Sequence, residues 1–467
     1  MEVIGASEEV RTIEECRVTP SVPSPESALP LTLFDTFWFK FPPIQRIFYY
    51  PVPDLSRRLF DSTVVPTLKQ SLSLTLSHFA PLAGKLVWPD HAAKPFIKYS
   101  AGDGVCLTVV ESLCPDAFPR ISGRAPHECA ESRPYAPELP VTDLAAAPVA
   151  VRISLFHGHG FAIGLASHHA ILDGKSVAMF TRCWSHLSKQ LLAQSVCEVT
   201  EEMKPSLDRS LISDPDGLDL KYLQTRSEMS WGAVDPNCND VGNHRRSMKL
   251  LPGLMPQREN LSRAAYAFSR DDIARLRVSV SGKLGNEGLS SFVLTYAYTL
   301  ICIAKARGLG HSVMFCAMYM ADCRGRGEGS IIPANYFGNC ITYDAVVMEA
   351  GEMTGENGMV VVVERLRASV RGLVKGDGKA KLTEMLTMEM GEMEKVATGG
   401  SARLGLYERD FGWGKPAMVE MTSIEKTGAV SLAESRDGGG GVEVGLVMES
   451  DEMMVFDRVF TEGLSRL

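Results

Sequence analysis

The stretch Ser167-His168-His169-Ala170-Ile171-Leu172-Asp173-Gly174 concentrates the most usable chemistry in this 467-residue chain. Imidazole is the side chain whose ordinary pKa suits proton abstraction near neutral pH. A carboxylate four residues on, followed by glycine, offers either an orienting partner for the ring or a common Asp-Gly turn. The plainer alternative for the histidines is a polar pair capping a strand. Three other chemistries fail on the letters. Gly174-Lys175-Ser176 resembles the end of a phosphate-binding loop, but that pattern requires glycine where His169 stands. His157, His159, His168 and His169 lack a cysteine or carboxylate at a familiar zinc spacing, so no metal is expected. No Gly-x-Ser-x-Gly is present, which removes a nucleophile elbow. Two further segments stand out: Asp410-Phe411-Gly412-Trp413-Gly414, whose glycines suggest a backbone that a β-carbon would forbid, and Asn335-Tyr336-Phe337-Gly338-Asn339-Cys340, preceded by Asp322-Cys323-Arg324.

The elements around these residues can be read from periodicity. Two short apolar runs, 149–156 and 161–167, flank His157-Gly158-His159-Gly160, and in the second run large and small residues alternate. That is a β-hairpin delivering His168 and His169 at its end. Residues 175–192 then read as a helix. Residues 19–54, rich in proline and aromatics, are expected to run extended, and 55–80 to form a helix stopped at Ala80-Pro81-Leu82-Ala83-Gly84. Helices are expected at 271–283 and 290–306, and a buried strand at 313–320. Residues 351–400 blur into Met, Glu and Gly and read only as helical segments between turns. Strands and helices interleave, so the class is α/β. Loss of periodicity at 197–217 marks a linker between a first domain, 1–196, and a second, 218–467.

Composition narrows the function classes. With 48 Lys plus Arg against 56 Asp plus Glu, the net charge is −8, so no basic excess exists to neutralise a phosphate backbone and nucleic acid is not an expected partner. Eleven cysteines without a Cys-x-x-Cys pair read as reduced thiols of a cytoplasmic protein. Early charges such as Glu8, Glu9 and Arg11 interrupt any signal-peptide core. The longest apolar stretch, 291–304, is too short and too polar for a membrane span.

Taken together and in this order, His169-Ala170-Ile171-Leu172-Asp173-Gly174 and Asp410-Phe411-Gly412-Trp413-Gly414 resemble the plant BAHD acyl-coenzyme A transferase family. The resemblance also takes in Phe41-Pro42-Pro43-Ile44-Gln45-Arg46, Phe79-Ala80-Pro81-Leu82-Ala83-Gly84 and Ser431-Leu432-Ala433-Glu434-Ser435-Arg436-Asp437-Gly438. Asn335 to Cys340 resembles the branch that acylates anthocyanins and other phenolic glycosides, often with malonyl groups. Ser401-Ala402-Arg403 departs from the family's usual Ser-Pro-Arg, and a Gly-rich loop from Arg326 to Pro333 replaces a proline-containing turn.

The resemblance implies two chloramphenicol-acetyltransferase-like domains of similar size with mixed sheets, a solvent channel between them, and part of the second half crossing back into the first sheet. His169 becomes the expected general base and Asp173 the partner of an arginine, Arg324, outside the channel. Asp410, Gly412, Trp413 and Gly414 become supports. Thr36, Trp38, Tyr336, Phe337 and Asn339 are expected around the acceptor. Acyl-coenzyme A, malonyl-coenzyme A by preference, is expected as cosubstrate with no permanently bound cofactor, and a monomer as the working form. A malonyl carboxylate in a shielded channel needs a cation. Lys175 and Arg182, seven residues apart on one helix and so near one face, are the candidates. An aromatic hydroxycinnamoyl donor, or a relative that only binds ligands, are the competing readings.

Overall fold

The computed structural model describes residues 9–228, 246–251, 253, 260–325, 332–375 and 393–467. Cys238, residues 326–331 of the Gly-rich loop, and 376–392 within the blurred stretch lie outside them. A six-stranded mixed sheet runs in the order Val10–Val18, Val105–Ser112, Val149–Phe156, Gly160–Ser167, Ile44–Pro51, Met418–Glu420. A seven-stranded mixed sheet runs Ile341–Glu349, Met314–Asp322, Glu394–Gly400, Val430–Glu434, Val442–Glu449, Leu261–Phe268, His127–Glu128. A small four-stranded sheet, containing Ser27–Pro30, flanks the first. The architecture is thus α/β with two main units, and each large sheet borrows a strand from the other half of the chain.

The hairpin forms in the expected register, with Gly160 opposite Phe156 and Ser167 opposite Val149. Its second strand pairs on the other side with Ile44–Pro51, Leu165 opposite Arg46. Both faces of Ile44–Pro51 are covered: Phe48 and Tyr50 join one core, Ile47 and Tyr49 another. A strand covered on two faces reads as a continuous apolar run, which is why alternation alone did not reveal it and the segment was expected merely to be extended. A helix at Val65–Leu76 and the helix Gly174–Leu192 cover the first face, joined by the Trp184 indole, whose Nε1 donates to the Leu68 carbonyl at 3.1 Å and to Ser71 Oγ at 3.0 Å. Around the second sheet the helices Arg270–Leu284, Ser291–Ala306, Gly358–Lys375 and Ser450–Ser465 build a separate core.

Three expectations are corrected. Leu33–Thr36 is a turn of helix inside the region expected to be extended, set up by Thr32 and Asp35, whose side chains cap one another's backbone. Glu394–Gly400, expected as helix or turn, is a strand running parallel to both its neighbours. Its Thr398-Gly399-Gly400 end lacks the β-branched pattern that would have shown it. The helix expected over 55–80 ends at Leu76 and contains a π turn at Phe60–Val64.

Candidate active site

His169 follows directly on the strand Gly160–Ser167 and its neighbour His168, five residues before the helix that opens at Gly174. Its ring is packed on one side by the N-terminal segment: the Trp38 indole stacks face to face at 3.9 Å with 2° between planes, and Phe41, itself 4.8 Å from Trp38, stands edge-on at 6.0 Å. Nδ1 is buried without a hydrogen bond, whereas the residue as a whole is partly exposed, so Nε2 is the nitrogen open to an incoming group. Desolvation pushes the imidazole pKa down to about 4, against smaller upward pulls from its own backbone, Asp173 and Asn339. The ring is therefore neutral at neutral pH. His168 is fully buried, its Nδ1 accepting from the Ala170 N–H at 3.2 Å, and desolvation takes it to about 3.

Asp173 faces away from the imidazole. One oxygen caps the helix by accepting from the Ser176 N–H at 2.8 Å; the other accepts from the Cys340 N–H at 3.0 Å and pairs with Arg324 Nη2 at 2.9 Å. Both charged side chains are wholly buried. Arg324 is saturated: it also donates to the carbonyls of Tyr336 and Gly338 at 2.9 and 2.7 Å, to Ser176 Oγ at 3.2 Å and to Asp322 at 2.8 Å. A buried pair is tolerable only with its remaining donors satisfied, and the 336–340 segment supplies them.

Asn339 ties the site together. Its Nδ2 donates to the His169 carbonyl at 2.8 Å and to Asp35 Oδ1 at 3.0 Å, while its own backbone N–H donates to the same Asp35 oxygen at 3.0 Å. Asp35 is held in turn by Thr32. The helical turn at Leu33–Thr36, the histidine and the 336–340 segment are thus one hydrogen-bonded unit. Asp35 and Phe41 were missed as site residues; the Thr-x-x-Asp spacing of a capping box at Thr32 was the available signal.

The second signature folds as a clamp. Asp410 Oδ1 accepts from the N–H groups of Gly412 and Gly414 at 2.8 and 2.9 Å, and its other oxygen pairs with Lys189 at 2.6 Å. Gly412 sits at φ +110, and a β-carbon there would lie 2.3 Å from Leu192 Cδ1. Phe411 packs edge-on to Trp184 at 5.0 Å, and Trp413 edge-on to Phe161 at 5.3 Å. Lys189, Trp184 and Leu192 all belong to the helix Gly174–Leu192. The clamp therefore fixes the helix whose N-terminus carries Asp173.

The remaining expected residues scatter. Thr36 is buried, its hydroxyl donating to the Leu33 carbonyl at 3.2 Å. Tyr336 and Phe337 are core residues: Arg209 donates to the Tyr336 hydroxyl at 2.7 Å, and Phe337 packs on Phe79. Neither presents a surface to an acceptor. Lys175, partly exposed, is paired with Asp322 at 2.9 Å. Arg182 is exposed and has no acid partner among the described residues. Among those residues, too, no group of three or more His, Cys, Asp or Glu is placed to hold a metal ion, and no helix is long and apolar enough to cross a membrane.

Comparison with known proteins gives three findings. The Transferase family profile matches residues 8–462. Among curated relatives, the malonyl-CoA:anthocyanidin 5-O-glucoside-6''-O-malonyltransferase of Arabidopsis thaliana is 37% identical, covering 99% of this chain and 100% of its own, and phenolic glucoside malonyltransferase 1 of the same plant is 36% identical, covering 97% and 98%. Agmatine coumaroyltransferase, also from Arabidopsis thaliana, is 34% identical over 97% and 98%. Among solved structures, vinorine synthase superposes with a TM-score of 0.68 at 24% identity, covering 96% of each chain; at that identity the likeness concerns the fold.

Proposed function

The chain belongs to the Transferase family, as a BAHD acyltransferase, and from that premise we propose that it moves a malonyl group from coenzyme A to a sugar hydroxyl of a phenolic glycoside such as an anthocyanin. The observation that carries the donor and acceptor classes is full-length similarity to two relatives named for that transfer. We further propose that it works as a monomer in the cytoplasm.

In this mechanism the acceptor hydroxyl approaches His169 Nε2, which takes its proton as the oxygen attacks the thioester carbonyl. The tetrahedral intermediate collapses by breaking the carbon–sulfur bond, and the imidazolium returns its proton to the departing thiolate. Ester and free coenzyme A thiol are the products, and no covalent enzyme intermediate is needed because the thioester is already activated. Support for His169 as the base comes from its neutral ring, its unengaged Nε2 and the aromatic pair that fixes its plane. Support for a positioning part for Asp173 comes from oxygens committed to Ser176, Cys340 and Arg324. The Trp38 Nε1, buried without an acceptor on the ring stacked against His169, is our candidate donor to the oxyanion.

The test is a matrix of donors (malonyl-, acetyl- and coumaroyl-coenzyme A) against anthocyanin glucosides, simple phenolic glucosides and their aglycones, read by thiol release. We expect malonyl transfer to the glucosides and none to the aglycones. A preference for coumaroyl-coenzyme A, the reading favoured by the similarity to a coumaroyltransferase, would replace the malonyl assignment.

A further inference from the structure

Arg46 is a charged side chain that the fold buries and leaves unanswered. It is 2% exposed, its Nη1 has no acceptor, and no carboxylate among the described residues lies at ion-pair distance from it. Burial depresses its pKa to about 10, with Glu434 pulling upward and Arg409 adding to the depression. A buried charge without a hydrogen-bonded counter-ion is costly, and Glu434 acts on Arg46 without reaching ion-pair distance. A guanidinium in that position is complete only when an anion joins it.

Its surroundings define the anion. Arg46 lies opposite Leu165, two residues short of the strand end that leads into His168 and His169, which is roughly 7 Å along a strand. It belongs to the sheet face covered by the helix Gly174–Leu192, on the same side as Phe48 and Tyr50. Arg409, also buried, joins that layer by donating to the carbonyls of Ala178 and Leu404 at 3.2 and 2.8 Å and to Thr181 Oγ1 at 3.3 Å. Arg182 is close enough to depress Arg409 further. Two carboxylates act on this layer: Glu408, which pairs with Lys415 at 2.7 Å, and Glu434, whose Oε1 accepts from the Tyr407 N–H at 2.6 Å and whose Oε2 is buried without a hydrogen-bond partner. A small planar carboxylate is the anion that a guanidinium grips with two parallel hydrogen bonds.

We infer that Arg46, backed by Arg409, is the subsite for the free carboxylate of a dicarboxylic acyl donor. The inference rests on the malonyl reading and moves its main determinant from exposed Arg182 to a buried cation. The physical reason is screening: a charge pair in water contributes little, whereas a desolvated, bidentate one contributes strongly. Because the carboxylate is held in ground state and transition state alike, the contact should act mainly on KM.

The experiment compares wild type, Arg46→Met and Arg182→Ala with malonyl-, succinyl- and acetyl-coenzyme A, together with thermal melts of each protein without ligand. For Arg46→Met we expect kcat/KM to fall roughly 10- to 100-fold with malonyl-coenzyme A, chiefly through KM, and to stay within about threefold with acetyl-coenzyme A, which lacks the carboxylate. Arg182→Ala should have the smaller effect. Arg46→Met should melt at or above the wild-type temperature, because it removes a buried charge that has no carboxylate at ion-pair distance to offset its desolvation. A drop in melting temperature with unchanged donor preference would make Arg46 a structural residue answering Glu434, and equal losses on both donors would also overturn the subsite. Wild-type enzyme that uses malonyl-coenzyme A in either of those cases leaves the donor reading standing. Wild-type enzyme that refuses malonyl-coenzyme A removes both.

Discussion

Two histidines side by side meet different fates because of what each ring touches. His168 is sealed in the core, with its Nδ1 committed to the Ala170 N–H, while His169, stacked on Trp38, is partly exposed and keeps Nε2 open. General-base catalysis contributes about 10²- to 10⁴-fold, so His169→Ala should lose activity on that scale while retaining the wild-type melting curve; thiol release within twofold of wild type would refute the base. The pH dependence follows from the direction of the shift. The neutral ring is the active form, and with a pKa of about 4 in place of 6.5 it persists well below neutrality. A kcat/KM profile should therefore stay flat from about pH 8 down to about pH 5.5. An acid limb centred near the ordinary imidazole value would mean that the free enzyme solvates the ring more than its packing indicates.

At the scale of elements, the helix Gly174–Leu192 organises the site from both ends. Its first turn is capped by Asp173, and its last turns are held by Lys189 on Asp410 and by Ser188 Oγ, which donates to the Phe411 carbonyl at 2.7 Å. Asp173→Asn keeps the shape but leaves Arg324 buried without its main counter-charge. Breaking one partner of such a pair costs about 3 to 5 kcal/mol, so both stability and activity should fall, as chemical denaturation and thiol release would record; lost activity at unchanged stability would point to a direct role on the imidazole. Much of this was legible in the sequence, because the hairpin, the helix and the Asp-Gly turn are local patterns with strong periods. Asp173 and Arg324 could be paired only through family resemblance, since 151 positions separate them. The role proposed for Arg46 was not legible in the sequence: a buried Nη1 without an acceptor is a property of the packed sheet and helix. Lys175, which sequence spacing placed beside Arg182, pairs with Asp322, a residue whose strand arrives from the other half of the chain.

The whole molecule is held as one by exchanged strands. Met418–Glu420 extends the first sheet by pairing with Ile44–Pro51, and His127–Glu128 extends the second by pairing with Leu261–Phe268. A boundary at 197–217 describes the order of the chain, but neither large sheet is assembled from one side of it. Where the two exchanges meet, Arg263 of the second sheet pairs with Glu420 of the first at 2.8 Å, both fully enclosed, and Arg263 also donates to the carbonyls of Met421 and Thr422 at 2.8 and 3.0 Å. Ser132 Oγ and the Tyr49 hydroxyl donate to the other Glu420 oxygen at 3.1 and 3.3 Å. Such a junction should make the two units unfold together. Glu420→Gln removes its charge and strands Arg263 with only the distant Glu425, at 3.8 Å, so the melting temperature should drop by the equivalent of several kcal/mol, on the order of 3 to 5. Calorimetry of the wild type should give one transition, and the variant should either keep one at lower temperature or split into two. Two independent transitions in the wild type, or a Glu420→Gln variant as stable as its parent, would mean that each sheet stands alone and that the exchanged strands are appendages.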